Sequence, residues 1–254
     1  MKPWRKSFGI WVPDKRLADN RGFINPGVVG AVAGARRRTG ATAFDPDNYG
    51  TCTLWYKASE VTGRADQDSL TTADVLDYSD SGTADASAVA NTKYKASLGG
   101  YPAFQLDNGQ LHITLNNWKP AATTLFVVLQ TSVTQWITLG DADNTAQFTG
   151  IAQSGSGSAS GGSGFGSPAV YVNKTAKSTR GDLYTAAATG ALEVMCISGA
   201  DLDELGLIPE LFGYANTSWQ FTGYVTEVVG YSATLSATNR DNCTDALMSK
   251  YGIT

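Results

Sequence analysis

The chain reads as an all-β protein, a two-sheet antiparallel jelly-roll sandwich with a short C-terminal helix and an extended N-terminal arm. Three observations predict this. Only 17% of its 254 residues are charged while 28 are glycine, a composition suited to many short strands joined by tight turns. Residues 124–130 (TLFVVLQ) form a continuous apolar run of strand length, which reads as a central strand covered on both faces. The longest β-type run, 219–231, is followed at once by a helical pattern.

The arm comes first in the chain. Residues 1–46 hold Pro3, Pro13, Pro26, Pro46 and six glycines with no sustained period of 3.6 or 2, so the segment does not build a core of its own. Its aromatic residues Trp4, Phe8, Trp11 and Phe23 are interleaved with basic ones and lead to Arg36, Arg37 and Arg38. Aromatic anchors beside arginines suit a segment lying extended on a partner protein. Through residue 48 there are nine Lys/Arg against four Asp, a net of +5, which leaves −9 for the remainder of a chain of net charge −4. A basic arm on an acidic body docks on acidic surfaces, including another copy's body; a solvated tail explains the same charges. No recognised nucleic-acid motif accompanies the arginines, so nucleic acid is not an expected partner. The expected domains are therefore an arm over 1–46 and a sandwich over 47–254.

Within the sandwich, residues 51–57 have the Thr and aromatic content of a strand. Residues 58–100 are polar and read as a long irregular loop. Residues 101–107 and 111–115 alternate apolar with polar around Asn108-Gly109, which predicts a hairpin. After the central strand, 136–139 runs into an Asp/Asn turn at 140–144 and 146–152 forms another strand. Residues 154–167 are almost wholly Gly and Ser, a mobile tip by composition. Strands follow at 169–172, 182–187, 192–198 and 219–231. The last element is a helix: Ser236 is a good N-cap, Cys243, Leu247 and Tyr251 recur on one face, Lys250 lies in the last turn and Gly252 stops it.

Three cysteines, Cys52, Cys196 and Cys243, with no CxxC spacing indicate neither a disulfide framework nor a zinc site; they read as small buried apolar residues. The apolar stretches near the start are too short for a signal peptide, and no run reaches the roughly 18 apolar residues that span a membrane. No membrane association is expected.

Residues 223–236 (GYVTEVVGYSATLS), with the helix and the closing Lys250-Tyr251-Gly252-Ile253, resemble the C-terminal signature of concanavalin A-like lectin/glucanase (laminin-G-like) domains. Residues 54–58 (LWYKA) and 99–107 (GGYPAFQLD) fit the same pattern, so the resemblance covers about residues 50–253. It implies the jelly-roll sandwich and no single activity, because the group holds lectins, hydrolases, adhesins and inert structural domains. It is common in bacterial surface proteins and bacteriophage structural proteins. Together with the arm it implies a non-catalytic bacteriophage virion protein, decorating the capsid or associated with the tail. Such a protein is assembled in the host cytoplasm, and its partners are other virion proteins and copies of itself. The alternative is a carbohydrate-binding adhesion module for host surface glycans, and a less favoured one is a glycoside hydrolase.

The chemistry-bearing residues favour the non-catalytic readings. Glycosidases of this fold carry carboxylates along one strand as Glu-x-Asp-x-Glu, since retaining hydrolysis needs two carboxyls about 5 Å apart. This chain has no such triplet, and Glu227 is a lone acid among Val and Thr. The sole histidine, His112, has no evident catalytic partner in sequence. Trp219 and Tyr231 read as core residues ahead of sugar platforms. Members of the group often bind calcium near loop acids, and Asp141, Asp143 and Asn144 offer hard oxygen ligands in a turn; turn chemistry explains the same residues. No other cofactor is expected.

Overall fold

The computed structural model describes residues 4–7, 10–13, 44–113, 118–141, 148–162, 165–203, 209–213 and 219–254. The chain divides into two compact units, Met1–Thr42 and Ala43–Thr254. In the first, β1 (Trp4–Ser7) and β2 (Ile10–Pro13) pair as an antiparallel hairpin, with Trp4 opposite Pro13 and Lys6 opposite Trp11. The described part of the arm is thus a folded-back ribbon. Phe8, Phe23, Arg36, Arg37 and Arg38 lie outside the described residues.

The second unit is a two-layer antiparallel sandwich. Its strands are β3 (Cys52–Lys57), β4 (Ala86–Leu98), β5 (Tyr101–Ile113), β6 (Thr123–Thr131), β7 (Gln135–Asp141), β8 (Phe148–Gln153), β9 (Ala169–Val172), β10 (Thr175–Ala176), β11 (Glu193–Ala200), β12 (Pro209–Leu211) and β13 (Phe221–Tyr231). The described residues also form two α-helices, α1 (Arg180–Ala187) between β10 and β11 and α2 (Ala237–Tyr251) after β13. The front layer runs β4-β5-β13-β6-β11-β9-β10, with β3 taking the edge of β13 beyond the end of its pairing with β5. The back layer is β12-β7-β8. It faces the front across the core, where Thr138 Oγ1 on β7 lies 3.6 Å from Met195 Sδ on β11. Gly150 on β8 is so close to the front layer that a Cβ there would lie 2.9 Å from Ile197 Cδ1.

Strand β6 shows why the sequence pattern is continuous. Leu125, Val127 and Leu129 enter the core between the layers, whereas Phe126 and Val128 enter a second cluster between the front layer and α2. Each of these five side chains is at most 1% exposed, worth about 1.5–3 kcal/mol apiece. The helix that covers the second cluster begins and ends as its sequence predicts. Ser236 Oγ accepts from Asn239 N at 3.2 Å, Gly252 takes a left-handed φ of 66°, and Cys243, Leu247 and Tyr251 are buried.

Three expectations are corrected and a fourth is narrowed. Asn108-Gly109 makes no hairpin, because β5 continues through it. The hairpin turn is Gly99-Gly100, both at positive φ, between the paired residues Leu98 and Tyr101. Asn108 and Asn91, at φ of 50° and 48°, sit instead in a bulge of the β4–β5 ladder, where a Cβ on Gly109 would come 2.9 Å from Ala90 O. Asn-Gly signals positive φ, which bulges share with turns. Here the bulge bends β5 away from β13 and towards β12 in the back layer.

Residues 58–100 are likewise not one loop, since β4 occupies 86–98. Its signal is the alternation of buried Thr92 and Tyr94 with the less buried Asn91, Lys93 and Lys95, a period of two inside a polar composition. The expected strand at 182–187 is helix α1. A capping box supplies its start, with Thr179 Oγ1 accepting from Asp182 N at 3.0 Å and Asp182 accepting from Thr179 N. The Gly/Ser segment 154–167, read as a mobile tip, is packed at Gly161 and Phe165 and open at Gly155 and Gly157, where a Cβ would meet nothing within 4 Å. Phe165 is fully buried, and a Cβ on Gly161 would lie 2.6 Å from Pro168 O. Glycine serves close approach there.

Two edges of the sheet, at β4 and β3, are covered. Residues 67–70 bond to the outer edge of β4 through Gln67 N, Leu70 N and Asp68 O, and Asp77 Oδ1 accepts from Trp55 N on the edge strand β3. Such cover removes the template for edge-to-edge pairing.

Candidate functional site

Helix α2 covers only part of the outer face of the front layer. Under the helix that face is Phe126, Val128, Val229, Tyr231, Cys52, Val194 and Cys196. A single acid breaks the apolar pattern. Glu227 is 1% exposed and accepts from Trp55 Nε1 at 2.5 Å, Lys250 Nζ at 2.7 Å and Tyr251 Oη at 2.8 Å. A buried carboxylate requires such partners. They clamp the end of α2 onto β13 and β3, and leave Glu227 no access to a substrate. Burial, and then the neighbouring Glu227 charge, push the Tyr251 phenol up. Burial likewise pushes the Cys52 and Cys243 thiols up to about 12. All three cysteines are free and buried, as their sequence context predicts.

Beyond the last turn of α2 the same strands change character. Register places Lys93, Gln105, Tyr224 and Gln130 directly opposite one another across β4, β5, β13 and β6. Opposed residues of an antiparallel ladder share a face. The next residues along, Phe104, Val225 and Leu129, point into the core, so this row points outward. All four side chains are half-buried. Gln130 Nε2 donates to Gly190 O at 2.5 Å, and Gln67 Nε2 donates to Gln105 Oε1 at 2.8 Å. These bonds fix the two amides, while each amide retains capacity for further hydrogen bonds.

Gln105, Tyr224 and Gln130 of this row floor a depression of about 310 Å³ whose walls include Asp107, Thr131, Ser132, Val133, Gly190 and Thr222. Gly223 lets the strands close up beneath it, since a Cβ there would lie 2.4 Å from Gln130 O. Thr131 Oγ1 bonds Thr222 O at 2.7 Å, and Gly190 N bonds Thr131 O at 3.1 Å, so the rim is tied to the sheet. The depression beside α1, lined by Ala176, Lys177, Asp182, Thr185 and Ala186, offers no aromatic surface, and its Asp182 is committed to the helix cap.

The residues singled out from sequence lie elsewhere. Trp4 and Trp11 are on the hairpin of the first unit. Asp141 ends β7, and Asp143 and Asn144 are outside the described residues; among the described residues no three His, Cys, Asp or Glu side chains gather to hold a metal. His112 lies in β5 with Glu210 opposite it in register. Tyr231 is buried, its hydroxyl donating to Pro46 O at 2.9 Å. Trp219 is half-buried with the Arg180 guanidinium 5.8 Å from its ring. No helix among the described residues is long and apolar enough to cross a membrane. Gln105, Tyr224 and Gln130 went unremarked in sequence; their one signal is an aromatic residue at an outward position of a strand.

No protein-family model matches the chain, and no curated protein matches it. Among solved structures, the chain is similar to domain 4 of AbnA, a GH43 extracellular arabinanase from Geobacillus stearothermophilus, in complex with arabinotriose. That similarity has a TM-score of 0.48 at 10% identity, over 76% of this chain and 98% of that one. A second similarity is to the binding domain of botulinum neurotoxin DC in complex with SialylT, with a TM-score of 0.38 at 10% identity, over 78% of this chain and about half (52%) of that one.

Proposed function

We propose that the sandwich is a non-catalytic carbohydrate-binding module whose site is the open half of the front layer. The observation that carries this reading is Tyr224 held between Gln105 and Gln130 on an outward sheet face. The face of an aromatic ring is electron-rich and receives the polarised C–H groups of a sugar ring. Amides on either side supply both donors and acceptors for hydroxyl groups. A rigid sheet bearing a few placed polar groups is pre-organised for a ligand. Screening the purified protein on an array of plant, bacterial and animal glycans tests the reading. Binding is expected, and Tyr224→Ala abolishes it while leaving the melting temperature in place. Silence across the array, or binding indifferent to Tyr224, contradicts it.

The charge split supports a second, compatible role, anchoring of this module in a virion by the basic N-terminal segment. Deleting residues 1–46 is expected to prevent incorporation into particles while leaving a folded body; normal incorporation of the truncated chain contradicts that role.

A further inference from the structure

The groove at Tyr224 continues past Gln130. On the other side of that residue lies a second depression of about 360 Å³, lined among others by Tyr101, Leu192, Glu193, Tyr251 and Ile253. Gln130 lines both, and its bond to Gly190 O holds it as a fixed divide. Each depression has its own half-buried tyrosine, Tyr224 in one and Tyr101 in the other. Tyr101 is braced edge-on by Tyr251, with ring centroids 4.9 Å apart and planes at 67°. Tyr101, Gln105 and Asp107 lie on one face of β5, and the six steps from Tyr101 to Asp107 span about 20 Å. That is the length of a short oligosaccharide and exceeds a single sugar ring. The charged side chains lining the two depressions are Asp107 and Glu193, both acids.

Resting on the carbohydrate reading above, we infer that the site has two subsites meeting at Gln130 and takes a neutral oligosaccharide of at least three units. One sugar ring lies on Tyr224, another lies on Tyr101, and the amide of Gln130 bonds the sugar between them. Acidic sugars are disfavoured because each subsite presents a carboxylate and, among the described residues, no cation lines either one.

The test is calorimetric titration of the full chain with arabino-, xylo- and cello-oligosaccharides of one to five units, and with sialyllactose as an acidic trisaccharide. Within the series that binds, affinity is expected to rise about tenfold from one unit to three, the gain from a second stacked ring, and sialyllactose is expected to bind at least tenfold more weakly. Ala191→Trp, at an exposed position on the rim of the second depression, should remove the gain with length and keep the one-unit affinity. Tyr224→Ala should remove both. Equal affinity at every length, an unaffected Ala191→Trp variant, or sialyllactose bound as tightly as a neutral trisaccharide overturns the two-subsite inference while leaving the carbohydrate reading intact. Absence of binding in every series, or binding that survives Tyr224→Ala, overturns that reading and the inference with it.

Discussion

The outer face of one sheet is built in two ways. Under α2, strands β6 and β13 present Phe126, Val128, Val229 and Tyr231; past the end of α2 they present Gln130, Tyr224 and Thr222. The β6–β13 ladder carries on across the change through a bulge at Val225/Glu227, so the two halves share their strands and differ in the side chains these present. Where the helix supplies cover, burial of apolar surface stabilises the sheet. Where it stops, the same strands carry amides, hydroxyls and a tyrosine that water tolerates and a ligand can use. Stability and recognition thus divide along the length of two strands, and substitutions should divide the same way.

The largest effect is expected at Glu227. Glu227→Ala removes the acceptor of three donors, and leaving buried partners unpaired costs about 3–5 kcal/mol, read as a fall in the urea midpoint. Leu247→Ala opens a cavity between α2 and the sheet and should cost about 3 kcal/mol. Neither should alter ligand specificity in the fraction that stays folded.

The thiols report the covered half by their pH dependence. Their folded pKa values are raised from the ordinary 9.0 to about 12 for Cys52 and Cys243. The stability they confer is therefore full below pH 9 and is lost as pH rises towards 12, because only the unfolded chain ionises easily. At pH 10 the loss should be on the order of 1 kcal/mol per thiol relative to pH 8. Urea midpoints should show a shallower alkaline decline in Cys52→Ala. Gly252→Ala forces an L residue into a left-handed cap and should cost about 1 kcal/mol by thermal melting. The smallest stability effect belongs to the open half, where Tyr224→Ala should change stability by no more than about 0.5 kcal/mol while abolishing binding.

How far each half is legible in the sequence follows from how local its signals are. Helix α2 is readable because its cap, its buried stripe and its terminal glycine lie within seventeen residues, Ser236 to Gly252. Strand β6 is readable because burial on both faces leaves an unbroken apolar run. The β5 path is misread because Asn108-Gly109 encodes positive φ without saying whether a turn or a bulge uses it, and α1 is misread because its capping box sits in a stretch rich in Thr and Ala. The open half is hardest. Gln105, Gln130 and Tyr224 are far apart in the chain, and only strand register, shifted by irregularities at Phe221/Thr222 and Val225/Glu227, brings them into one row. A single slip in either ladder would turn Tyr224 into the core.

The most direct test of the division is a heteronuclear NMR titration with the best-binding glycan from the array, following the side-chain amides of Gln105 and Gln130 and the ring of Tyr224. The account predicts that these signals shift together, at one affinity, while the methyl groups of Leu247 on α2 and Val229 beneath it stay in place. Saturable shifts confined to another surface, with the Gln105 and Gln130 amides unmoved, would contradict it.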